Sequence, residues 1–283
     1  TKEGDFTEHA FLCNTHDELL LFSNKGRVFN LRIFEIPEYG RTAKGLPLVN
    51  LIQLEPDEIV TSVLTRDPKG GISTQNSEGE KIKYQYFLMV TDKGTIKKTE
   101  LAEFAKIRSN GLTAIKLAAG DQLSWVKPTT GEDEVLIVTA EGKSVRFKES
   151  DVRPMGRNTM GVTAIKFKSQ SDCVSGMGIV KNDEMKVLTL SEHGFGKMSL
   201  LKDYPLQKRA GTGVFTFRVT PKTGRVSTAR IIEPDQEEIV VISEKSKVIR
   251  SELKAVPTLG RQTSGVKVMN LESDDRVVTV ALL

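Results

Sequence analysis

Apolar residues arrive along this chain in short clusters that are rich in β-branched side chains and bounded by turn-forming or charged residues. Examples lie at 87–90, 135–138 and 239–242. Clusters of this kind between turn residues indicate β-strands. A helical period is nearly absent from the chain. The pattern therefore predicts an all-β protein.

A segment that occurs five times along the chain separates these clusters. Each copy is an Arg, a short polar spacer and a closing Gly, followed by an apolar strand, and we call these segments box loops. The box loops lie at 41–45, 108–111, 157–161, 209–213 and 261–265. Their closing glycines are 66, 50, 52 and 52 positions apart. Such a regular period is the signature of a repeat architecture.

A second series keeps the same period. Each member is an apolar strand, a tight turn and a basic strand, and we call the turns glycine turns. They lie at 24–26, 92–94, 140–142, 192–194 and 244–246, the last with Ser246 in place of Gly. Four strands in a repeat of about 50 residues is the proportion of a propeller blade.

The number of blades follows from counting box loops. Residues 1–6 resemble those that come after a box loop elsewhere, so a sixth box is expected just upstream. We therefore predict a single domain, 1–283, built as a propeller-like ring of six four-stranded antiparallel blades. The long first interval indicates an insertion at about 66–85, rich in Gly, Ser, Lys and Asn, which we interpret as an extra exposed hairpin or a mobile loop.

Composition narrows the class of protein. With 38% hydrophobic residues among 283, the chain is globular. No apolar run approaches the roughly 18 residues of a membrane span, and no signal peptide is recognisable. We expect an intracellular protein with no membrane partner. Cys13 and Cys173 lie far apart without neighbouring ligand types, which indicates free, partly buried thiols.

The formal net charge of +4 hides a periodic arrangement. Acidic or polar turns follow most box strands, whereas basic strands follow the glycine turns. In a closed ring, positions that recur once per repeat lie at equivalent places around the ring. The basic strands would therefore form a positive belt and the acidic turns separate negative patches. The candidate DNA-binding residues are Arg27, Arg32, Arg41, Lys44, Lys97, Lys98, Arg108, Lys143, Arg146, Lys148, Arg157, Lys197, Lys208, Arg209, Arg250 and Arg261.

Two interpretations of the box loops remain open at this point. In one, the Gly allows a ligand to approach the backbone closely, with Arg guanidinium groups beside it. In the other, the Gly supplies a positive φ for a turn between blades and the Arg caps carbonyl groups.

A circumferential belt of Lys and Arg fits a long polyanion better than a small anion. Duplex DNA is the natural candidate, contacted through phosphates without base readout, because no recognition helix is present in the sequence. Bending 20 to 30 base pairs costs on the order of 1 to 6 kcal/mol, so several blades must contribute contacts.

Other function classes fit less well. His9, His16 and His193 do not form a metal-binding set, and no nucleophile or phosphate-loop motif occurs. We assign no catalytic residues, no metal and no cofactor to this chain. A protein-interaction propeller of the WD or kelch type is disfavoured because the single Trp125 is not in a Trp-Asp pair.

Four segments carry a resemblance to a known family. They are Asn-Thr-His-Asp at 14–17, Lys-Gly-Arg-Val-Phe at 25–29, Pro-Leu-Val-Asn-Leu at 47–51 and Leu-Glu-Pro-Asp-Glu at 54–58. With the repeat pattern over the whole chain, they resemble the carboxy-terminal domain of the gyrase-A component of bacterial DNA gyrase. The resemblance implies a β-pinwheel, in which neighbouring blades exchange a strand. The family's defining Q-R-R-G-G-K-G box is expected just upstream, and 209–213 after Lys208 is its nearest relative here.

The resemblance also implies a function. The domain would wrap DNA with a positive sense so that an ATP-dependent type II topoisomerase introduces negative supercoils. ATP and Mg²⁺ would be used elsewhere in an A2B2 holoenzyme, in which gyrase B and the amino-terminal part of gyrase A are the expected partners. The isolated domain would be monomeric, in the bacterial cytoplasm and associated with the nucleoid. The corresponding domain of topoisomerase IV, which serves decatenation, is the main alternative.

Overall fold

The computed structural model describes residues 13–40, 45–69, 71–75, 81–233 and 236–282. These residues form β-strands joined by turns and by short 3₁₀ helices. The 3₁₀ helices are Ile33–Glu35, Leu48–Asn50, Leu101–Phe104, Glu149–Asp151, Leu201–Asp203 and Leu253–Ala255. The all-β prediction is therefore confirmed.

Five blade sheets form within the described residues. Blade 1 has the strand order β3 (Val60–Arg66), β1 (Glu18–Ser23), β2 (Arg27–Arg32), β8 (Leu112–Thr113). Blade 2 has β9 (Leu123–Thr129), β6 (Tyr86–Thr91), β7 (Thr95–Glu100), β12 (Val162–Thr163). Blade 3 has β13 (Val174–Val180), β10 (Glu134–Thr139), β11 (Lys143–Lys148), β16 (Val214–Phe215). Blade 4 has β17 (Val226–Ile232), β14 (Lys186–Ser191), β15 (Phe195–Leu200), β20 (Val266–Lys267). Blade 5 has β21 (Val277–Leu282), β18 (Glu238–Ser243), β19 (Val248–Glu252).

The short fourth strand of a blade comes from a later part of the chain. Strand β8 directly follows the box loop at 108–111, which lies beyond β7 of blade 2, yet β8 pairs with β2 of blade 1. In the same way β16 pairs with β11, and β20 pairs with β15. Each of these box loops therefore leads into a strand that is donated to the preceding blade, as the pinwheel resemblance implied.

The prediction of six blades is wrong. A blade is defined by the antiparallel hairpin around a glycine turn, and the described residues contain five of these hairpins. A box loop marks a point of strand exchange, so the sixth box inferred upstream does not add a blade to this chain. Residues 1–6, on which that count relied, lie outside the described residues. Blade 5 has three strands within the described part of the chain.

The insertion at 66–85 contains a further pair of strands. β4 (Ser73–Gln75) and β5 (Lys81–Lys83) pair antiparallel and form a separate two-stranded sheet. This extra hairpin accounts for the long interval between the first two closing glycines.

The described residues fall into two compact units. One contains residues up to 132 together with Val152–Val162, which includes blade 1 and most of blade 2. The other contains Asp133–Asp151 and the residues from Thr163 onward, which includes blades 3 to 5.

Each unit has apolar cores of its own between blades. In the unit with blades 1 and 2, Phe22, Phe87 and Phe104 are fully buried and meet edge to face, with ring centroids 5.1 to 6.3 Å apart. Such aromatic pairs contribute about 0.5–1.5 kcal/mol beyond the area they bury. In the other unit one cluster includes Tyr204 and Phe217 and a second includes Leu253 and Met269.

The closing glycines allow the exchanged strands to approach the neighbouring backbone. Gly161 has a φ of +95°, and a Cβ at this position would lie 2.6 Å from the carbonyl oxygen of Ile96 in β7. A side chain there would be both strained and overlapping. Gly111, Gly213 and Gly265 also have positive φ. At these four positions the Gly is therefore required by the packing of one repeat on the previous one.

Two further features complete the fold. Within the described residues no helix is long and apolar enough to cross a membrane. Cys13 and Cys173 form no disulfide within the described residues, and each is partly buried.

Replacing Gly161 with Ala should lower the free energy of unfolding by about 2–4 kcal/mol, because left-handed strain adds to a steric overlap with Ile96. The matched control is Gly156→Ala in the same segment, where the nearest atoms to an added Cβ are 4.0 Å away. Urea denaturation of both variants tests this, and equal stabilities would contradict a packing role for the closing glycine.

Candidate nucleic-acid interface

The guanidinium groups of three box loops bind the backbone of the preceding repeat. Each donates from Nη1 to the carbonyl oxygen of the residue two positions after the previous closing Gly. The pairs are Arg157 with Thr113 at 3.2 Å, Arg209 with Thr163 at 2.9 Å, and Arg261 with Phe215 at 2.6 Å. The carbonyl-capping interpretation of the box arginines therefore describes these contacts, and the positive φ of the closing glycines agrees with it.

A second set of contacts fixes neighbouring box loops to each other. The backbone N–H of the residue five positions after a closing Gly donates to the next box loop. The pairs are Lys116 with Thr159 at 3.0 Å, Lys166 with Gly211 at 2.9 Å, and Arg218 with Thr263 at 3.1 Å. The repetition of one geometry means that successive box loops are held in equivalent positions within their units.

The same repeated geometry positions three exposed cations that were not predicted from the sequence. The side chains of Lys116, Lys166 and Arg218 are exposed, and each stands beside a box loop. The available signal was their constant spacing of five residues from Gly111, Gly161 and Gly213. They lie outside both the box loops and the basic strands, where the periodic charge was sought.

Two of the predicted DNA-binding lysines are internal. The first, Lys97 in β7, is fully buried, and its ammonium group donates to the carbonyl oxygens of Ala114 at 2.8 Å, of Thr159 at 3.2 Å and of Arg157. Its assignment to the DNA surface is corrected here, because the box loop of the following repeat covers this lysine.

The second internal lysine, Lys197 in β15, has the same role two repeats later. It is fully buried and donates to the carbonyl oxygens of Gly260 at 2.6 Å and Arg261 at 2.7 Å. Its predicted DNA contact is likewise corrected, since a later box loop covers the ammonium group. Both lysines position box loops from inside the fold.

Burial changes the acidity of both lysines. Desolvation lowers the pKa of Lys97 to about 8, with Glu103 opposing and Arg157 reinforcing the shift. Desolvation also lowers the pKa of Lys197 to about 8, and the charge of Arg261 acts in the same direction. Burial therefore makes these two lysines easier to deprotonate than exposed lysines.

Lys98 and Arg146 are also buried, so their predicted contact with DNA is corrected too. The ammonium group of Lys98 lies 5.0 Å from the centre of the Tyr86 ring. Arg146 pairs with Glu134 at 2.6 Å and Asp183 at 2.5 Å. These side chains are used within the fold and are not presented to a ligand.

Three further candidate DNA-binding residues lie within ion-pair distance of carboxylates. Arg27 pairs with Glu58 at 2.8 Å and with Glu55 at 3.1 Å, Arg157 lies 3.7 Å from Glu103, and Arg250 pairs with Glu238. An ion pair between exposed groups contributes little, so the outer ones can be exchanged for a phosphate at small cost.

The remaining candidates differ in exposure. Lys143, Arg209 and Arg261 are partly buried. Arg32, Arg108, Lys148 and Lys208 are exposed, and in the described part of the chain no ion pair engages them. Arg41 and Lys44 lie outside the described residues.

Several acidic residues between the strands are structural. Asp121, Asp172 and Asp275 are buried, and one carboxylate oxygen of each accepts two backbone N–H bonds. One donor belongs to the glycine turn and the other to the residue after the Asp. These carboxylates therefore hold glycine turns and do not add to surface negative patches.

Among the described residues there is no group of His, Cys, Asp and Glu that would hold a metal ion. The recurrent feature of the surface is instead a cationic loop at each point of strand exchange. The fold and this surface define a class: a β-propeller with five blade sheets in its described residues, which exchanges strands between neighbouring blades and carries basic loops at these exchanges.

Comparison with known proteins identifies the family. The family described as "DNA gyrase C-terminal domain, beta-propeller" matches residues 17–65, 85–130, 133–181, 186–233 and 237–283. Each of these five segments contains the hairpin of one blade, and together they leave out the β4–β5 hairpin. The chain belongs to this family, which confirms the resemblance found in the sequence.

Individual relatives agree. The gyrase-A component of DNA gyrase from Escherichia coli (strain K12) is 40% identical over 277 residues, a match that covers 98% of this chain and 30% of that protein. The chain thus spans about a third of the length of the curated relatives it matches.

Two solved structures are similar. One is the C-terminal domain of DNA topoisomerase IV, with a TM-score of 0.84, 26% identity and coverage of 100% of this chain and 85% of that one. The other is a DNA gyrase A C-terminal domain, with a TM-score of 0.76, 25% identity and coverage of 96% and 84%.

The two buried lysines give a pH-dependent stability. Between pH 8 and 10.5 the unfolded chain binds more protons than the folded chain at these sites, so the free energy of unfolding rises with pH. From pH 8 to 10.5 the free energy of unfolding of the unmodified protein should rise by about 1–3 kcal/mol per lysine more than that of a double variant with Lys97→Met and Lys197→Met. Urea denaturation at several pH values tests this. Parallel pH profiles would contradict it, and the exposed Lys254→Met serves as control.

Proposed function

We propose that this chain binds duplex DNA through its box loops and the cations beside them, without reading base sequence, and bends the DNA along them. The observation that carries the proposal is the repeated placement of Lys116, Lys166 and Arg218. Each projects from the same position of its repeat and is fixed by a backbone hydrogen bond to the adjacent box loop.

A regular series of exposed cations suits a ligand with a regular series of negative charges. Duplex DNA carries one charge per about 1.7 Å of axis, and phosphate contacts position a protein on it without specifying sequence. The helices in the described residues are 3₁₀ segments of three or four residues, too short to serve as recognition helices in the major groove. Non-specific backbone binding is the mode that fits.

Bending follows from having several contacts. A smooth bend of 20 to 30 base pairs costs on the order of 1 to 6 kcal/mol, which one phosphate contact does not offset. Cations on successive repeats share this cost. The proposed DNA-binding set is therefore Arg108, Lys116, Lys148, Lys166, Lys208 and Arg218, joined by the outward-facing parts of Arg157, Arg209 and Arg261.

The wider role is also proposed from the relatives. As the C-terminal part of a gyrase A chain, the domain would wrap DNA so that an ATP-dependent type II topoisomerase introduces negative supercoils. Gyrase B and the amino-terminal part of gyrase A would be its partners, with ATP and Mg²⁺ used there. The isolated domain would act as a monomer on chromosomal DNA, in the bacterial cytoplasm and nucleoid.

A topoisomerase IV role is the second candidate, and one observation favours it: the higher TM-score of the topoisomerase IV domain, 0.84 against 0.76. The matched sequence relatives favour gyrase, at 40% identity. In the gyrase role the domain would wrap DNA for negative supercoiling, whereas the topoisomerase IV role would serve decatenation.

A triple variant in which Lys116, Lys166 and Arg218 are all replaced by Ala should bind more weakly, and equally so across DNA sequences. The slope of log affinity against log salt concentration should fall by about 2–3, at about 0.9 per lost phosphate contact. Fluorescence anisotropy with two unrelated duplexes measures this. Lys254→Ala, which removes a lysine that is 82% exposed, is the matched control. A slope equal to that of the control would remove these three residues from the interface.

Wrapping is tested separately on nicked circular DNA that is ligated with the protein bound. A positive wrap should raise the linking number relative to ligation without protein, and the shift should shrink in the triple variant. Gel electrophoresis of the topoisomers reads it out. Tight binding with no change of linking number would contradict wrapping and favour the topoisomerase IV alternative.

A further inference from the structure

A small cavity lined by three lysines and two carboxylates lies in blade 3. It has a volume of about 220 Å³ and lies between the glycine turn at 140–142 and the segment after the box loop at 157–161. Its cationic and hydroxyl-bearing lining residues are Lys143, Lys166, Lys168, Thr139, Ser169 and Thr212. Thr212 belongs to the next box loop, so the cavity opens beside the proposed DNA path.

The two carboxylates of the lining have partners of their own. Asp172 accepts the backbone N–H groups of Glu141 and Cys173, both at 2.9 Å. Glu141 pairs with Arg225 at 3.3 Å. Within the part of the chain that the structure describes, no ion pair engages the three lysines.

The position of Lys143 is fixed by its surroundings. Its ammonium group lies 3.1 Å from the centre of the Phe215 ring, on the strand that pairs with β11. Burial and then the charge of Lys168 lower its pKa. An anion bound near Lys143 and Lys168 would offset the repulsion between their ammonium groups.

Size and donor type define the anion. Pockets for drug-sized ligands are usually about 300–1,000 Å³, so this cavity suits a smaller group. Lysines are point-charge binders of phosphate, and a hydroxyl such as that of Thr212 adds a donor.

The site is specific to one blade. The cation after the glycine turn and those five and seven positions after the closing Gly occur together only in blade 3. The corresponding residues are Arg27, Asn50 and Ile52 in blade 1, Thr95, Lys116 and Ala118 in blade 2, Phe195, Arg218 and Thr220 in blade 4, and Lys247, Asn270 and Glu272 in blade 5.

We propose that this cavity anchors a single phosphate group of the DNA backbone, held between the ammonium groups of Lys143, Lys166 and Lys168 and the hydroxyl of Thr212. The inference rests on the proposed DNA-binding function and adds to it a fixed point. One phosphate is gripped by blade 3, whereas the other repeats make looser contacts through single exposed cations.

The test uses the whole 283-residue chain, with Lys143→Gln and Lys168→Gln singly and together, and Lys254→Gln as control. The double variant should bind a short duplex about tenfold more weakly. Its log-log salt slope should fall by only about one, since both lysines act on one phosphate. A fall of about two in this slope would mean that the two lysines contact separate phosphates, and it would overturn the proposal of a single anchored phosphate.

Inorganic phosphate is the second probe. Chemical shifts of the lysine side-chain amines should respond to phosphate at constant ionic strength in the unmodified protein and not in the double variant. If phosphate binds but the double variant retains full DNA affinity, the ligand is a free anion and the DNA anchor is overturned. If the unmodified chain fails to bind DNA, the proposed function fails and the anchor with it.

Discussion

The strand exchange depends on one close approach: the backbone of a closing glycine lies directly against the basic strand of the preceding blade. At Gly161 a left-handed φ and contact with the Ile96 carbonyl leave no space for a side chain. Once this contact is made, the following residues enter the neighbouring sheet, and the box Arg reaches the carbonyl of the repeat before it. The period of the sequence is constant because this geometry recurs at each exchange.

Charge serves two purposes in this fold, separated by burial. Lys97 and Lys197 act inside, where their amines bind box-loop carbonyl oxygens. Lys116 and Lys166 stand outside, where only solvent or a ligand competes for them. Buried aspartates such as Asp172 take backbone N–H groups of the glycine turns. A modest net charge of +4 therefore conceals both an internal scaffold of polar contacts and an outer series of cations.

Features that depend on residues close together in the sequence were predicted from the sequence alone. The all-β class, the period, the turns and the free cysteines follow from residue types and spacing. The burial of Lys97 could not be predicted in this way, because a loop some 60 residues later covers it. Counting box loops gave six blades because a sixth box was inferred upstream, whereas each blade is built on the hairpin around a glycine turn, of which the described residues contain five. Lys166 was predictable from its spacing to Gly161, whereas the cavity it shares with Lys143 and Lys168 required the three-dimensional arrangement.

The donated strands also determine how the molecule can be divided. A chain cut before the box loop at 261–265 would lose β20 and expose the outer edge of β15 in a blade whose own hairpin is intact. An unpaired strand edge offers backbone N–H and C=O groups to a strand of another chain and so promotes association. Although the sequence is modular, with one hairpin per period, blades 1 to 4 each take their fourth strand from the next period. Lineages that shorten or lengthen such an array would have to gain or lose a hairpin and its neighbour's edge strand in the same step.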